Sequence, residues 1–269
     1  MTRFGSARGA LAALCILLIA VSGLLAGCRS NRESRLARQG PEALYKQAQR
    51  ALKSYDFNTS IKTFEALTAR YPFTNESRQA RLDLIYAYYR AGESESAIDA
   101  ADQFIRENPT HPRVDYAMYL RGLIYFERSP NFLERWFNTD LEQRPPQDVR
   151  RAFDAFDQLI KQHPQSIYAR DARQRMIYLR NRLADYEVYV AEHYLKRQAW
   201  VAAVDRSRYC IENYDGAPAT RQALEIMISA YQGLGLEDLA ERSQEVFALN
   251  YPNTQPVKHN KKSWWWPFD

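Results

Sequence analysis

The stretch LDLIYAYYRAGESESAIDAADQFIRENP, residues 82–109, carries three marker residues at fixed offsets along the chain. With Tyr88 taken as position i, Ala97 stands at i+9 and Pro109 at i+21. A tyrosine can fill the groove between neighbouring helices, and an alanine lets two helices approach closely. Proline lacks a backbone N–H and keeps its predecessor out of the helical region, so it ends a helix. The stretch therefore predicts two helices joined by a turn.

The same spacing recurs in five copies along the chain. In each copy a small residue at position j precedes a proline, or once an aspartate, at j+12. The five pairs are Ser60 and Pro72, Ala97 and Pro109, Ala152 and Pro164, Ala203 and Asp215, and Ala240 and Pro252. Tyr88, Tyr194 and Tyr231 each stand at position i relative to a closing residue at i+21. In the third copy Tyr125 and Pro164 stand at i and i+39, an offset of 21 plus an insertion of 18, and the first copy has Ala51 at the tyrosine position.

A helix pair repeated at this spacing is the layout of the tetratricopeptide (TPR) repeat. We predict an all-α fold, a superhelical solenoid of five TPR helix pairs over residues 41–252. The repeats are placed at about 41–74, 78–111, 115–165, 184–216 and 221–254. Such an array forms a concave groove that suits extended or helical peptide segments, so the predicted fold favours a binding protein.

The third and fourth repeats are further apart than the others. From Pro164 at position i, the next marker, Tyr194, stands at i+30, whereas the corresponding marker at the other junctions stands at i+16. The difference of 14 equals about four helical turns, and residues 166–197 contain no glycine or proline. We therefore predict one elongated helix of roughly 28 to 30 residues joining repeats three and four. Its inward face is predicted to carry Ile167, Ile177, Leu183 and Tyr186.

The N-terminus has the organisation of a secretory signal. Arg3 and Arg8 precede an apolar run over residues 10–26, which is shorter than a spanning helix needs. Leu25-Ala26-Gly27-Cys28 resembles the lipobox of bacterial lipoproteins, which implies a signal peptide over residues 1–27 and covalent diacylglycerol and N-acyl lipid on Cys28. By the same resemblance Arg29, in a position where aspartate would retain the protein, implies export to the periplasmic face of the outer membrane. The alternatives are an ordinary cleaved signal or a buried cysteine.

Three other segments lie outside the repeats. Residues 28–40 form a charged segment with little apolar content, predicted to be a flexible tether. The insertion at residues 128–148 contains Trp136, and is either a packed excursion or a partner-binding loop. The tail at residues 253–269 contains KKSWWWPFD and is either idle or an interface anchor. Its candidate contact residues are Trp264, Trp265 and Trp266.

Composition argues against several classes of function. Of the 37 Lys and Arg residues, two lie in the signal, leaving 35 against 32 acidic residues, and no basic readout motif for nucleic acid is present. Cys15 lies in the signal, so Cys210 is the one cysteine left beside Cys28, and we expect it to be a small buried residue. The four histidines are scattered, and the sequence has no phosphate loop or nucleophile elbow. We expect no enzyme activity, no metal and no cofactor beyond the covalent lipid.

Motifs spread over nearly the whole mature chain carry a family resemblance. They are RYPF at 70–73, LDLIYAYY at 82–89, NPTHP at 108–112, Asp115-Tyr116, Met118-Tyr119, Arg121-Gly122, RLADYE at 182–187, VAEHY at 190–194, Arg197 and Ala199-Trp200. With these motifs the sequence resembles the BamD family, lipoproteins of the outer-membrane β-barrel assembly machine. The resemblance implies five TPRs on a lipid anchor and a role as scaffold and substrate-recognition subunit in β-barrel assembly and insertion.

The resemblance also implies partners: the barrel subunit BamA on the C-terminal repeats, a BamC-like lipoprotein on the N-terminal half, and unfolded outer-membrane proteins. For BamA the candidates are Arg197 and Trp200, because a guanidinium at the turn of the fourth repeat can pair bidentately with a carboxylate. For substrate the candidates are Arg81, Tyr86 and Tyr89, although packing between helices is the alternative and is favoured for Tyr88. A periplasmic TPR lipoprotein that organises peptidoglycan enzymes is the other function considered.

Overall fold

The computed structural model describes residues 39–128 and 146–256, and the regular secondary structure in these ranges is α-helical. Its helices are α1 Pro41–Lys53, α2 Phe57–Arg70, α3 Asn75–Ala91, α4 Ser94–Glu107, α5 Val114–Arg128, α6 Gln147–Gln162, α7 Ala169–Lys196, α8 Trp200–Asn213, α9 Thr220–Gly233 and α10 Glu237–Asn250. The prediction of an all-α fold built from successive helix pairs is confirmed.

The chain divides into two compact units, residues 1–100 and 101–269. In the first unit, helices α1, α2 and α3 pack around a core that includes Leu44, Phe64 and Leu84. The Ser60 hydroxyl donates a hydrogen bond of 3.1 Å to the Ala48 carbonyl, across the contact between α1 and α2. A larger side chain at position 60 would separate the two helices, which explains why this position is small.

The second unit contains a larger core shared by α5 to α10. Phe156 on α6 is fully buried, and its ring lies against Gly122 on α5. A Cβ atom placed on Gly122 would come within 2.6 Å of Phe156 Cε1, so the α5–α6 contact requires glycine there. The small residues that mark the repeats in this unit, Ala152, Ala203 and Ala240, are at most 1% exposed.

Helix α7 confirms the prediction of one elongated helix, since it runs for 28 residues from Ala169 to Lys196. The predicted inward face is wrong at two positions: Ile167 is 83% exposed and Ile177 is 55% exposed. Ile167 lies in the turn before the helix begins. Ile177 is two residues from the buried Leu179, which places it about 200° away around the helix axis. Of the other two positions, Leu183 is buried and Tyr186 is half-buried.

The turns between paired helices share a backbone feature. Tyr55, Gly92, Gln198 and Gly235 have positive φ angles of 62°, 79°, 59° and 72°. Each lies five residues before the small residue of its repeat, at Ser60, Ala97, Ala203 and Ala240 respectively. Glycine adopts this left-handed conformation without strain, whereas other residues pay about 1–2 kcal/mol. The first and fourth repeats therefore hold exposed side chains, Tyr55 and Gln198, in a conformation that their turn geometry imposes.

Candidate partner-binding surfaces

The first unit carries a partly exposed group of aromatic rings around one arginine, which we call the aromatic–arginine cluster: Tyr55, Phe57, Tyr86, Tyr89 and Arg90. The Arg90 guanidinium carbon lies 5.9, 5.3 and 5.6 Å from the ring centroids of Tyr55, Phe57 and Tyr86. Arg90 also donates a hydrogen bond of 2.6 Å to the Tyr86 hydroxyl. The Tyr86 and Tyr89 ring centroids are 6.4 Å apart.

This cluster lies where two repeats present their ends. Tyr55 and Phe57 flank the turn between α1 and α2, and the remaining members lie in the last two turns of α3. Tyr55 is 71% exposed, so its ring is supported mainly on one side. Flat rings held around a cation offer stacking and cation–π contacts to an aromatic or apolar peptide side chain.

The residues predicted for substrate binding separate into different positions. Tyr86 and Tyr89 belong to the cluster, but the cation over the Tyr86 ring is Arg90, whereas Arg81 is half-buried and engaged within the chain. The Tyr88 hydroxyl donates a hydrogen bond of 2.5 Å to Glu65, and burial together with this carboxylate raises the Tyr88 pKa. Tyr88 thus has the packing role that the sequence favoured for it.

The second unit carries a different surface at the turn between α7 and α8, which we call the turn surface: Arg197, Trp200, Val201 and Leu234. Arg197 is exposed, and its backbone N–H donates a hydrogen bond of 3.3 Å to the His193 carbonyl, which ends α7. The guanidinium is therefore attached to a fixed backbone position at the end of a long helix.

Trp200 anchors the turn surface to the neighbouring helix. Its indole ring lies so close to Gly233 on α9 that a Cβ atom there would come within 2.7 Å of Trp200 Cδ2. Beside it a shallow depression of about 530 Å³ is lined in part by Val201, Asp205 and Leu234. Val201 is 61% exposed, so an apolar floor with one acidic residue at its edge adjoins the Arg197 turn.

Glu187, within the RLADYE motif, forms a buried ionic network that the sequence did not reveal. Its carboxylate is 2% exposed and lies 3.0 Å from Arg206 Nη1 and 3.8 Å from Arg150 Nη2. Arg150 donates further hydrogen bonds of 3.3 and 3.5 Å to the Tyr209 and Tyr214 hydroxyls. The network joins α6, α7 and α8, because each helix contributes at least one member. Its role is to hold consecutive helices together beneath the surface.

Chemistry beyond binding finds little support in residues 39–128 and 146–256. Within these ranges no group of three or more His, Cys, Asp or Glu residues is arranged to hold a metal ion. No helix in them combines the length and apolar character needed to cross a membrane. Cys210 is fully buried with its Sγ 3.7 Å from the Ala184 carbonyl, and burial raises the pKa of its thiol to about 12. This confirms the expectation of a small buried residue.

Several predicted residues lie outside the described ranges. They are the lipidation site Cys28, the sorting residue Arg29, Trp136 of the insertion, and Trp264, Trp265 and Trp266 of the tail. The roles assigned to them from the sequence stay predictions.

Comparison with known proteins assigns the family. Residues 38–246 match the family model described as "YfiO: Outer membrane lipoprotein". The chain is 42% identical over 233 residues to outer membrane protein assembly factor BamD of Vibrio cholerae, covering 87% of this chain and 96% of that protein. It is 37% identical over 228 residues to BamD of Neisseria meningitidis, with coverages of 83% and 85%.

A third relative and one solved structure complete the comparison. BamD of Xylella fastidiosa is 33% identical over 255 residues, covering 94% of this chain and 86% of that protein. The crystal structure of MamA aligns over 80% of this chain and 97% of that chain at 17% identity, with a TM-score of 0.34 that is too low to add to the assignment. From the family match and the relatives together, the chain belongs to the BamD family of outer membrane lipoproteins.

Proposed function

We propose that this protein is the lipid-anchored scaffold and substrate-recognition subunit of the complex that assembles and inserts β-barrel proteins into the outer membrane. The observation that carries the proposal is the 42% identity to a BamD protein over 96% of that protein's length. Identity over nearly a whole repeat array preserves the array's surfaces as well as its packing, because repeats contact only their neighbours. The protein acts by binding, without catalysis.

The proposed location is the periplasmic face of the outer membrane. Lipid on Cys28 would anchor the chain, Arg29 would permit export from the inner membrane, and residues 29–40 would connect the anchor to α1. The family description as an outer membrane lipoprotein supports this arrangement.

BamA is proposed to dock on the turn surface. The surface combines an apolar depression with a guanidinium at its edge, which is the composition expected of an interface core beside a polar rim. Trp200 is immobilised against Gly233 before any partner binds, so docking costs little side-chain entropy there. Arg197 can then form a bidentate pair with a partner carboxylate.

Unfolded outer-membrane proteins are proposed to bind the aromatic–arginine cluster, with a BamC-like lipoprotein on the same N-terminal half. Unfolded β-barrel segments alternate apolar and aromatic side chains with polar ones. The exposed ring of Tyr55 and the half-buried ring of Tyr86 around Arg90 can contact such side chains without a preformed pocket.

Arg90→Gln tests the substrate site. We expect the dissociation constant for an unfolded outer-membrane polypeptide to rise about three- to tenfold, because exposed cation–π contacts contribute roughly 0.5–1 kcal/mol each. Fluorescence anisotropy with a labelled, urea-diluted polypeptide measures the change. Arg78→Gln is the matched control, since Arg78 is an exposed arginine on the same helix outside the cluster. Equal affinities for the two variants would remove the cluster from substrate binding.

Arg197→Glu tests the BamA site. Reversing a charge in a hydrogen-bonded interface pair costs about 2 kcal/mol or more, so we expect BamA recovery to fall by roughly thirtyfold at limiting concentration. The measurement is affinity purification from cells in mild detergent, with helical circular dichroism of each variant as a check on folding. Arg173→Glu, an exposed arginine on the same helix, is the matched control.

The same purification tests the proposed function as a whole. Retention of BamA by Arg197→Glu at the level of Arg173→Glu would refute the docking site while leaving the complex intact. Co-isolation of the unmodified protein with peptidoglycan enzymes alone, without barrel-assembly subunits, would overturn the function and support the alternative.

A further inference from the structure

Helix α10 packs on one face and leaves an apolar face uncovered. Ala240, Ser243 and Phe247 are buried. Leu239, Val246 and Leu249 are 37%, 45% and 82% exposed. At about 100° per residue these three side chains fall within about 80° of one another around the helix axis. We call them the open stripe.

An open stripe is unusual at this position in a repeat array. Helix α10 is the last helix among the described residues, and terminal repeats normally present a polar outer face to stay soluble. Here the exposed side of α10 pairs the stripe with acidic residues. The helix contains four acidic residues, Glu237, Asp238, Glu241 and Glu245, against one basic residue, Arg242.

The segment that follows has the opposite charge and matching apolar content. Residues 257–269, VKHNKKSWWWPFD, contain three lysines, one aspartate, three tryptophans and a phenylalanine. Lysines suit the acidic side of α10, and tryptophans are the side chains most enriched at the centres of interfaces. A second copy of α10 would instead bring acidic residues against acidic residues.

The segment is long enough to reach the whole stripe. Leu239 lies about 16 Å along the helix axis from Asn250, the end of α10. The stretch from Asn250 to Trp264 can span up to about 46–50 Å when extended. A short tether of this kind gives an effective concentration in the millimolar range, so even weak docking is well populated.

We propose that residues 257–269 dock in cis on the open stripe, with the tryptophans against Leu239, Val246 and Leu249 and the lysines against the acidic side of α10. The segment then caps the array, covering the apolar face that no sixth repeat covers in the described residues.

Tryptophan quenching of a bimane fluorophore tests the docking without assuming a register. The fluorophore is attached to Val246→Cys in the full chain purified in mild detergent; buried Cys210 does not react, and labelling is checked by peptide mapping. We expect quenching at Val246→Cys to exceed that at Gln244→Cys by at least about threefold. Gln244 is the matched control because it is exposed on the same helix, about 200° from Val246.

Two further variants identify the quencher and the charge contribution. Replacing Trp264, Trp265 and Trp266 by phenylalanine preserves apolar contact but removes the quencher, so the signal at position 246 should recover. Lys258→Glu, Lys261→Glu and Lys262→Glu together should reduce quenching by at least about threefold at low salt.

Other occupants give different results. Quenching that rises with protein concentration would assign the stripe to a second copy of the chain. Quenching that is lost when vesicles containing anionic lipid are added would assign the tail to the membrane surface. Equal quenching at positions 244 and 246 would describe a tail with no preferred site. Each of these three results would overturn the proposal.

Discussion

Phe156→Ala is expected to lower the free energy of unfolding of the second unit by about 3–5 kcal/mol, the range for deleting a buried phenylalanine ring. The ring is fully buried and lies against Gly122, where a Cβ atom would come within 2.6 Å of it. It also packs against Tyr119, with ring centroids 6.1 Å apart. Neither neighbour can fill the space, since glycine has no side chain and the Tyr119 hydroxyl donates a hydrogen bond to Asp171.

Urea unfolding followed by circular dichroism at 222 nm measures this change. The matched control is Ile167→Ala, which removes an apolar side chain of the same unit that is 83% exposed, and we expect a change within about 0.5 kcal/mol. A Phe156→Ala effect below about 1 kcal/mol, or an Ile167→Ala effect of equal size, would contradict the placement of the two side chains in the core and at the surface.

The repeat layout could be predicted from the sequence because it depends on steric rules with a fixed period. Ser60, Ala97, Ala152, Ala203 and Ala240 are small because two helices meet there, and all five are buried. The length of α7 followed from counting residues between markers. Its buried face did not, because Ile177 and Leu179 are both apolar and only packing against neighbouring helices selects one of them.

The surfaces were less predictable for a related reason. Tyr86 and Arg90 are four residues apart on one helix, so their contact could have been predicted from spacing alone. Tyr55 and Phe57 reach the same arginine from a different helix pair, and Glu187 meets Arg150 and Arg206 from two other helices. Contacts of this kind arise from tertiary packing, which a single sequence does not specify.

Cys28→Ser is expected to remove the protein from the membrane fraction almost completely. Each buried CH₂ of an acyl chain contributes about 0.8 kcal/mol, one chain alone binds marginally, and two or more anchor a protein stably. No helix in the described ranges is suited to span the bilayer, so the lipid would supply most of the attachment. Because blocked lipidation also blocks removal of a lipoprotein signal, residues 1–27 are exchanged for an ordinary cleavable signal. Fractionation of cells followed by a high-salt wash measures the result.

Cys210→Ser in the unaltered precursor is the matched control, because it also removes a thiol but leaves the proposed anchor in place; it should stay in the outer-membrane fraction. High salt weakens binding through Lys258, Lys261 and Lys262 but leaves acyl chains buried, so the wash separates the two modes of attachment. Persistence of Cys28→Ser in the washed outer membrane would refute the lipid anchor. Its loss only after the wash would mean that charged contacts hold the protein there without lipid.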